Sequence, residues 1–247
     1  MADEKKVKSV DPASVQMIEK AEAEGISTIY DRADKMKACN IGEQGTCCKV
    51  CAQGPCRLPL PKKGIEGEDT RMGLCGATPN TIAARNFARM VAAGAAAHSD
   101  HGRGIAEVFL AAARGETEDY KIQDTKKLVQ VAQDFGIAVT VGEGDDEKPR
   151  DMKEIAVELG EKALAEWGQQ EGEIHFAKRA PKARYDLWKK FDIIPRGIDR
   201  ETVELMHRTH MGVDQDYKNI IKQCSRAALA DGWAGSMIAT DLQDILF

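Results

Sequence analysis

The strongest periodicity in the chain begins at Thr78 and runs to about Ala113. Ala83, Phe87, Met90, Gly94, His98, His101, Ile105 and Val108 recur at steps of three and four, which predicts one long helix with a continuous packing stripe. Thr78 suits an N-cap, and Pro79 suits the first helical position, where a missing backbone donor costs nothing. From Ala92 to Ala97 the helix has almost no side-chain bulk, and Gly94 lies inside that run. Glycine in a helix costs about 1 kcal/mol against alanine, so close approach of another backbone or a bulky group at Gly94 is the expected compensation.

Weaker patterns flank this helix. Asp11-Pro12 reads as an N-cap followed by proline at N1, with Met17, Ile18 and Ala21 on one face, so residues 11–35 predict one or two short helices broken at Gly25. Residues 124–134 predict a helix ended by Gly136. The apolar piece Ile137 to Val141 has no evident partner strand and is expected to be loop. The charged stretch 142–151 reads as a solvated turn inside one domain. Further helices are expected at about 152–167, 181–191, 198–209 and 215–230, the last capped by Asp214. Ile220, Ile221, Cys224, Ala227 and Ala228 share a face there, which puts Cys224 in the core. The chain finishes on GWAGSMIATDLQDILF, an apolar run without a polar tail, which implies a buried end or a longer polypeptide.

Composition agrees with a mostly α fold. Aromatic residues are 5% of the 247, alanine is abundant, and Val/Ile/Thr runs are scarce. The net charge of -5 offers no basic footprint for nucleic acid. No apolar run approaches the ~18 residues of a membrane span. The opening MADEKKVKSVDPAS has no apolar core of a signal peptide, so the expected location is cytoplasmic.

Residues 38–77 do not fit the helical pattern, and they divide the chain into N-terminal helices (1–37), a cysteine-rich loop (38–77) and a helical domain (78–247). Six of the seven cysteines fall in that loop, as Cys39, Cys47, Cys48, Cys51, Cys56 and Cys75, spaced C-x7-C-C-x2-C-x4-C-x18-C and threaded with glycine. The segment has too few large apolar residues to order itself by burial, so disulfides or metal must offset its chain entropy. A reducing cytoplasm disfavours disulfides, which leaves metal. Structural zinc sites pair two C-x2-C knuckles around one ion. Here one C-x2-C-x4-C unit has a distant fourth cysteine, a spacing that suits a larger iron–sulfur cluster, with a zinc-stabilised helical domain as the plainer reading. Side chains of the neighbours Cys47 and Cys48 diverge, which points to two centres. Taking Cys48, Cys51, Cys56 and Cys75 as one set leaves Cys39 and Cys47 over. Either one is a spare thiol, or a two-fold axis brings a second such pair to complete a shared cluster.

The histidines outside this loop are less telling. His98 and His101 sit on the predicted packing stripe, where a hydrogen-bonded core pair and a proton-transfer pair are both consistent. His175 lies among charges and is expected to be exposed. His207 and His210 share a helix face at i, i+3 with no completing ligand, and read as hydrogen-bonded in the core. The basic stretch Lys178, Arg179, Lys182, Arg184, Lys189 and Lys190 reads as a solvated helix face, or as a weak dock for an acidic ferredoxin.

The residues also carry a resemblance. The segment CNIGEQGTCCKVCAQGPCRL, followed by MGLCGATPNTIAARNFARMVAAGAAAHSDHGR, strongly resembles the N-terminal part of anaerobic nickel–iron–sulfur carbon monoxide dehydrogenases, in their catalytic subunit. GISTIYDRAD, IPRGIDRETVELMHRTHMGVDQD and ALADGWAGSMIATDLQDILF extend the similarity from about Gly25 to Phe247. The resemblance implies that Cys48, Cys51, Cys56 and Cys75 hold a 4Fe-4S B-cluster. It implies that Cys39 and Cys47 hold half of a D-cluster, 4Fe-4S or 2Fe-2S, shared across a homodimer. His98 and His101 match the first two histidines of a helix that carries protons from the active site. Gly104 and Glu107 stand where some relatives continue that ladder with histidine.

By the same resemblance, the ligands of the catalytic Ni-Fe-S C-cluster lie further along the family's polypeptide, in the α/β domains this chain lacks. The family reaction is CO + H2O to CO2, two protons and two electrons, with a ferredoxin-like acceptor. Expected partners are a second copy, the missing C-terminal part or an acetyl-CoA synthase subunit, and this chain alone is expected to be inactive. A reading from another class is a stand-alone dimeric iron–sulfur electron-transfer or assembly subunit without CO activity.

Overall fold

Proline at the first helical position and short polar side chains at the caps start the helices here. The structure, a computed structural model, describes residues 8–37, 39–142 and 144–247. What the sequence led us to expect of residues 1–7, of Ala38 in the loop and of Glu143 in the charged turn lies outside the described residues. The chain divides into two compact units, one up to Gln44 and one from Gly45 to Phe247.

The first unit contains α1 (Pro12–Ala23), α2 (Ile29–Asp34) and α3 (Asn40–Glu43). Asp11 caps α1 by accepting from the Ser14 amide. Thr28 and Asp31 form a reciprocal capping box on α2, with the Thr28 amide 2.8 Å from the Asp31 carboxylate. Lys8 reaches Glu22 at 2.8 Å. None of the three helices buries a residue.

The second unit opens with a short antiparallel hairpin, β1 (Cys47–Cys48) and β2 (Cys56–Arg57). The long helix follows as α4 (Pro79–Arg114), capped by Thr78 and ended by Gly115 in the left-handed conformation, φ 77°. Next come α5 (Thr125–Asp134) and a second small hairpin of β3 (Thr140–Val141) and β4 (Lys148–Pro149). Then α6 (Met152–Gly168), α7 (Lys182–Lys190), α8 (Ile198–Arg208), α9 (Tyr217–Ala230) and α10 (Ser236–Leu246) complete it. A π-turn, Asp231–Gly235, joins α9 to α10. Around α4 pack α6, α8, α9 and α10. The main core gathers Phe109, Leu128, Val131, Ile155, Leu159, Ile174, Phe176, Ile238, Leu242 and Ile245. A smaller one joins Ala84, Ala88 and Ala92 to Leu205, Ile220, Cys224 and Ala227. The fold is mostly α, and among the described residues no helix is long and apolar enough to cross a membrane.

Several expectations need correction. The stripe expected to pack is the open face of α4: Phe87 is 48% exposed and Met90 67%, and His98 and His101 are exposed. The helix packs instead through Ile82, Ala88, Ala92, Ala95, Ser99, Gly102, Ala106 and Phe109, because small side chains let its neighbours come close. Close approach therefore falls at Gly102 and not at Gly94. A Cβ on Gly102 would lie 2.7 Å from the Gly235 carbonyl oxygen, whereas nothing lies within 4 Å of one on Gly94.

The piece at 140–141 does find a partner, since Thr140 pairs with Pro149 and the Arg150 amide donates to the Val139 carbonyl at 2.9 Å. Asp216, not Asp214, caps α9. His175 is not a free surface residue: its Nδ1 bonds the buried Glu166 and its ring stacks on Phe135 at 4.7 Å. His207 and His210 are both exposed, and His210 lies beyond the end of α8. Arg179, placed on a solvated face, instead pairs with Asp134 and Asp241 and covers the Phe176 ring at 3.8 Å. Cys224 lies in the core as expected, and burial pushes its thiol up to about 11.

Candidate functional site

The cysteine hairpin owes its shape to its glycines. Cys48 faces Cys56 across the two strands, and Cys47 faces Arg57. Cys51 lies on the connecting turn, where the Gly54 amide donates to its carbonyl at 3.2 Å. A Cβ at residue 54 would stand 3.1 Å from the Cys48 oxygen and 3.2 Å from the Cys56 nitrogen, so a side chain there would force the turn open. Gly73 plays the matching part beside Cys56. A Cβ there would come within 3.4 Å of the Cys56 sulfur, and its amide is tied to the Ala77 carbonyl at 2.8 Å. Cys48, Ala77 and Ile82 are buried together, and Cys56, Cys75, Val50 and Leu58 pack against them. Three of the four thiols in the predicted set thus border one small apolar cluster at the start of α4. Cys51 closes the turn beside them.

Hydrogen-bond donors surround the sulfurs. The Leu74 amide donates to Cys56 Sγ at 3.5 Å. Arg85, 1% exposed, donates from Nη1 to Cys75 Sγ at 3.5 Å and from Nη2 to the Asp214 carbonyl at 3.1 Å. Gln215 donates to the Cys75 carbonyl at 2.8 Å, while its own carbonyl accepts from Thr81 at 2.7 Å. Burial alone would raise the Cys75 thiol. The Arg85 guanidinium, the Ala77 amide and the Gln215 side chain outweigh it and bring it down to about 7. Near neutral pH it is therefore substantially the thiolate, the form that binds metal.

The other two cysteines of the loop, Cys47 and Cys39, fall in different units. The Cys47 carbonyl accepts from Asn86 at 3.1 Å, and the same amide holds the Gly45 carbonyl at 2.9 Å. Cys39 belongs to the first unit, exposed at the N-cap of α3. Among the described residues, no three His, Cys, Asp or Glu side chains stand close enough to hold a single metal ion.

The two histidines of α4 occupy its open face. His98 Nδ1 lies 2.8 Å from Asp231 Oδ1, which also accepts from Ser236 Oγ at 3.1 Å. His101 is exposed one turn further on. Beneath them, Ser99 donates to Asp199 at 2.7 Å and its carbonyl accepts from Trp167 Nε1 at 3.0 Å. Sequence reasoning missed both Asp231 and Arg85. Asp231 opens a π-turn, an element enriched at functional sites, but ADGWAGS carries no spacing that announces one. Arg85 gave a signal that could have been read: it is the one charged residue between Thr81 and Ala88 on the face that the small residues define.

Comparison with known proteins gives the family. The Prismane/CO dehydrogenase family matches residues 46–247. Carbon monoxide dehydrogenase 1 of Methanosarcina mazei is 49% identical over 242 residues, a match covering 97% of this chain and 36% of the relative. Carbon monoxide dehydrogenase 2 of Carboxydothermus hydrogenoformans is 40% identical over 98% of this chain and 36% of its own length. Among solved structures, the nickel-free carbon monoxide dehydrogenase of Thermococcus sp. AM4 superposes with a TM-score of 0.78 at 44% identity, over 98% of this chain and 38% of that one. An acetyl-CoA synthase/carbon monoxide dehydrogenase, described with nickel-containing Fe4S4 clusters in its alpha subunits, gives 0.78 at 36% identity, over 97% of this chain and 34% of that one. The chain spans about 36% of the length of the relatives it matches.

Proposed function

This chain belongs to the Prismane/CO dehydrogenase family, and from that membership we propose that it forms the electron-relay part of an anaerobic carbon monoxide dehydrogenase. Cys48, Cys51, Cys56 and Cys75 would hold a 4Fe-4S B-cluster. The observation that carries this reading is the packing of Cys48, Cys56 and Cys75 about Ala77 and Ile82, with Arg85 donating to the Cys75 sulfur. The donor set fits such a group. A cubane takes four thiolates, one for each iron, and three of these four thiols border one small apolar cluster beside the turn that carries the fourth. When bound, the cluster exchanges one electron at a time. This chain's part is to bury Cys48, aim the Leu74 amide and Arg85 at ligand sulfurs, and keep bulk away from Cys56 at Gly73.

Cys39 and Cys47 would each supply a thiolate to a D-cluster, 4Fe-4S or 2Fe-2S, that a second copy completes in a homodimer. His98 is the first proton-relay candidate. With Nδ1 held by Asp231, its Nε2 is left to take up or release a proton, and a positioned carboxylate fixes which nitrogen does so. His101 is the second candidate, on the same open face.

The whole reaction, CO + H2O to CO2, two protons and two electrons, belongs to the longer polypeptide, where the family resemblance puts the Ni-Fe-S C-cluster ligands. A ferredoxin-like protein would take the electrons, and the match to an acetyl-CoA synthase/carbon monoxide dehydrogenase supports an acetyl-CoA synthase subunit as a partner. Anaerobic analysis of iron, nickel and zinc, together with the oligomeric mass, tests the reading. About six irons per chain in a dimer is the expected result, one cubane each and half of a shared one. About four irons in a monomer would remove the shared cluster and favour a stand-alone electron carrier. Zinc without iron would overturn the reading, and CO-dependent viologen reduction by this chain alone would overturn the division of labour.

A further inference from the structure

We propose that Arg85 is a positioning residue that raises the reduction potential of the cluster held by Cys48, Cys51, Cys56 and Cys75, acting through the Cys75 sulfur. The inference rests on the four-thiolate reading and deepens it.

A guanidinium keeps its charge at any physiological pH, and burying it is costly unless an opposite charge accompanies it. Arg85 is 1% exposed, yet among the described residues its bonds go only to the Cys75 sulfur and the Asp214 carbonyl, and its Nε is buried with no partner among them. The Asp214 carboxylate does not serve it, being engaged by Arg208 at 2.9 Å. Among its described hydrogen-bond partners, the one that can carry negative charge is the Cys75 sulfur. Arg85 cannot drift from it, because its Nη2 bond to Asp214 and the ties from Gln215 to Cys75 and from Thr81 to Gln215 close a ring around the contact. One-electron reduction adds a negative charge to the ligand set. A fixed cation 3.5 Å from a ligand sulfur therefore favours the reduced form, as hydrogen bonds to cluster sulfurs generally do. Arg85 itself gains and loses neither proton nor electron. The electron comes from a low-potential donor and returns to an acceptor.

The test is redox titration of the full chain, reconstituted anaerobically with iron and sulfide and poised with viologen dyes, read by electron paramagnetic resonance and visible bleaching. Arg85→Gln should keep its iron while the reduced-to-oxidised ratio of one wave falls about tenfold at fixed potential, a shift of about 59 mV for one electron. Arg85→Lys, which keeps the charge without the planar fork, should shift less. An unmoved midpoint in Arg85→Gln with full iron overturns the inference. Should Arg85→Gln lose its iron, Arg85→Met, which fills the buried space without charge, decides by the same shift. Loss of iron from both neutral variants overturns the inference by leaving Arg85 a structural role only. A wild-type chain that takes up no iron overturns instead the reading on which it rests.

Discussion

Residues 45–77 and the helices that follow are ordered by different means. In the first stretch only Thr46, Cys48 and Ala77 are buried, while Met72 and Leu74 are 59% and 73% exposed. Its turns close through backbone bonds, such as Leu58 to the Thr46 carbonyl at 3.1 Å. Arg71, held by Asp69, adds a bond to the Leu58 carbonyl at 2.7 Å. In the helices, Phe109, Leu128, Ile155, Leu159 and Ile245 are fully buried in one cluster. Each such side chain contributes about 1.5–3 kcal/mol by leaving water. The helices can stand on burial, whereas on the proposed reading the hairpin depends on the cluster its sulfurs would hold.

The largest effect is expected where that dependence is cut. Cys51 lies on the turn and is not part of the small apolar cluster, so Cys51→Ser would remove a proposed ligand with little cost in packing. The variant should lose about four irons per chain. Protease should then cut within residues 45–77 while far-UV circular dichroism stays close to wild type. Melting of the helices along with the hairpin would break the comparison, because the helical region would then depend on the cluster too.

The same difference governs how much could be read in advance. The helical spans at 79–114, 125–134, 152–168 and 198–208 follow from periodicity and caps, and the structure has them within a residue or two of expectation. Which face packs was misread, because Phe87 and Met90 outweigh Ala88 and Ala92 in bulk although the alanines make the contact. Residues 45–77 were legible only as chemistry. Cysteine count and spacing name a donor set, but the hairpin, the turn at Gly54 and the approach of Arg85 depend on contacts distant in sequence, such as Asp214 and Gln215. Asp231 was illegible for the same reason, since it meets His98 only once α9 packs on α4.

A chain of ion pairs and hydrogen bonds leads from α8 through Arg85 to the Cys75 sulfur, and acid should open it. Arg196 bonds Glu204 at 2.6 Å, Arg208 bonds Glu204 at 2.8 Å and Asp214 at 2.9 Å, and the Asp214 carbonyl holds Arg85. Burial alone would raise the Glu204 carboxyl, but Arg196 and Arg208 outweigh it and bring it down to about 2. A carboxyl depressed on folding contributes stability that is present in full above its ordinary value of 4.5 and lost as pH falls towards 2. Glu204→Gln should therefore lower the unfolding free energy by on the order of 3 kcal/mol near neutral pH, with the gap from wild type closing below about pH 4. Urea titrations at the two ends of that window measure it. A gap that stays constant across the window would assign the loss to packing and not to charge. A gap seen by circular dichroism with no change in iron retention would separate the two regions.

The smallest effects sharpen the comparison within α4, at two glycines whose surroundings differ. A methyl added at Gly94 would meet nothing within 4 Å, so Gly94→Ala keeps only the propensity gain and should stabilise by about 1 kcal/mol. Gly102 gains as much in propensity, but its added methyl would press on the Gly235 oxygen at 2.7 Å and on Trp167 at 3.2 Å. Neither neighbour can give way cheaply: Gly235 is buried in the π-turn, and Trp167 is buried and held by its bond to the Ser99 carbonyl. Overpacking of this kind costs about 1–3 kcal/mol, so Gly102→Ala should destabilise by about 1 kcal/mol net. Thermal unfolding of the pair reads the sign of each. Stabilisation at both positions would mean that the α4 contact with the π-turn has slack. Opposite signs would show that this contact is packed to its limit, as burial-driven order requires, while the open face at Gly94 carries no such constraint.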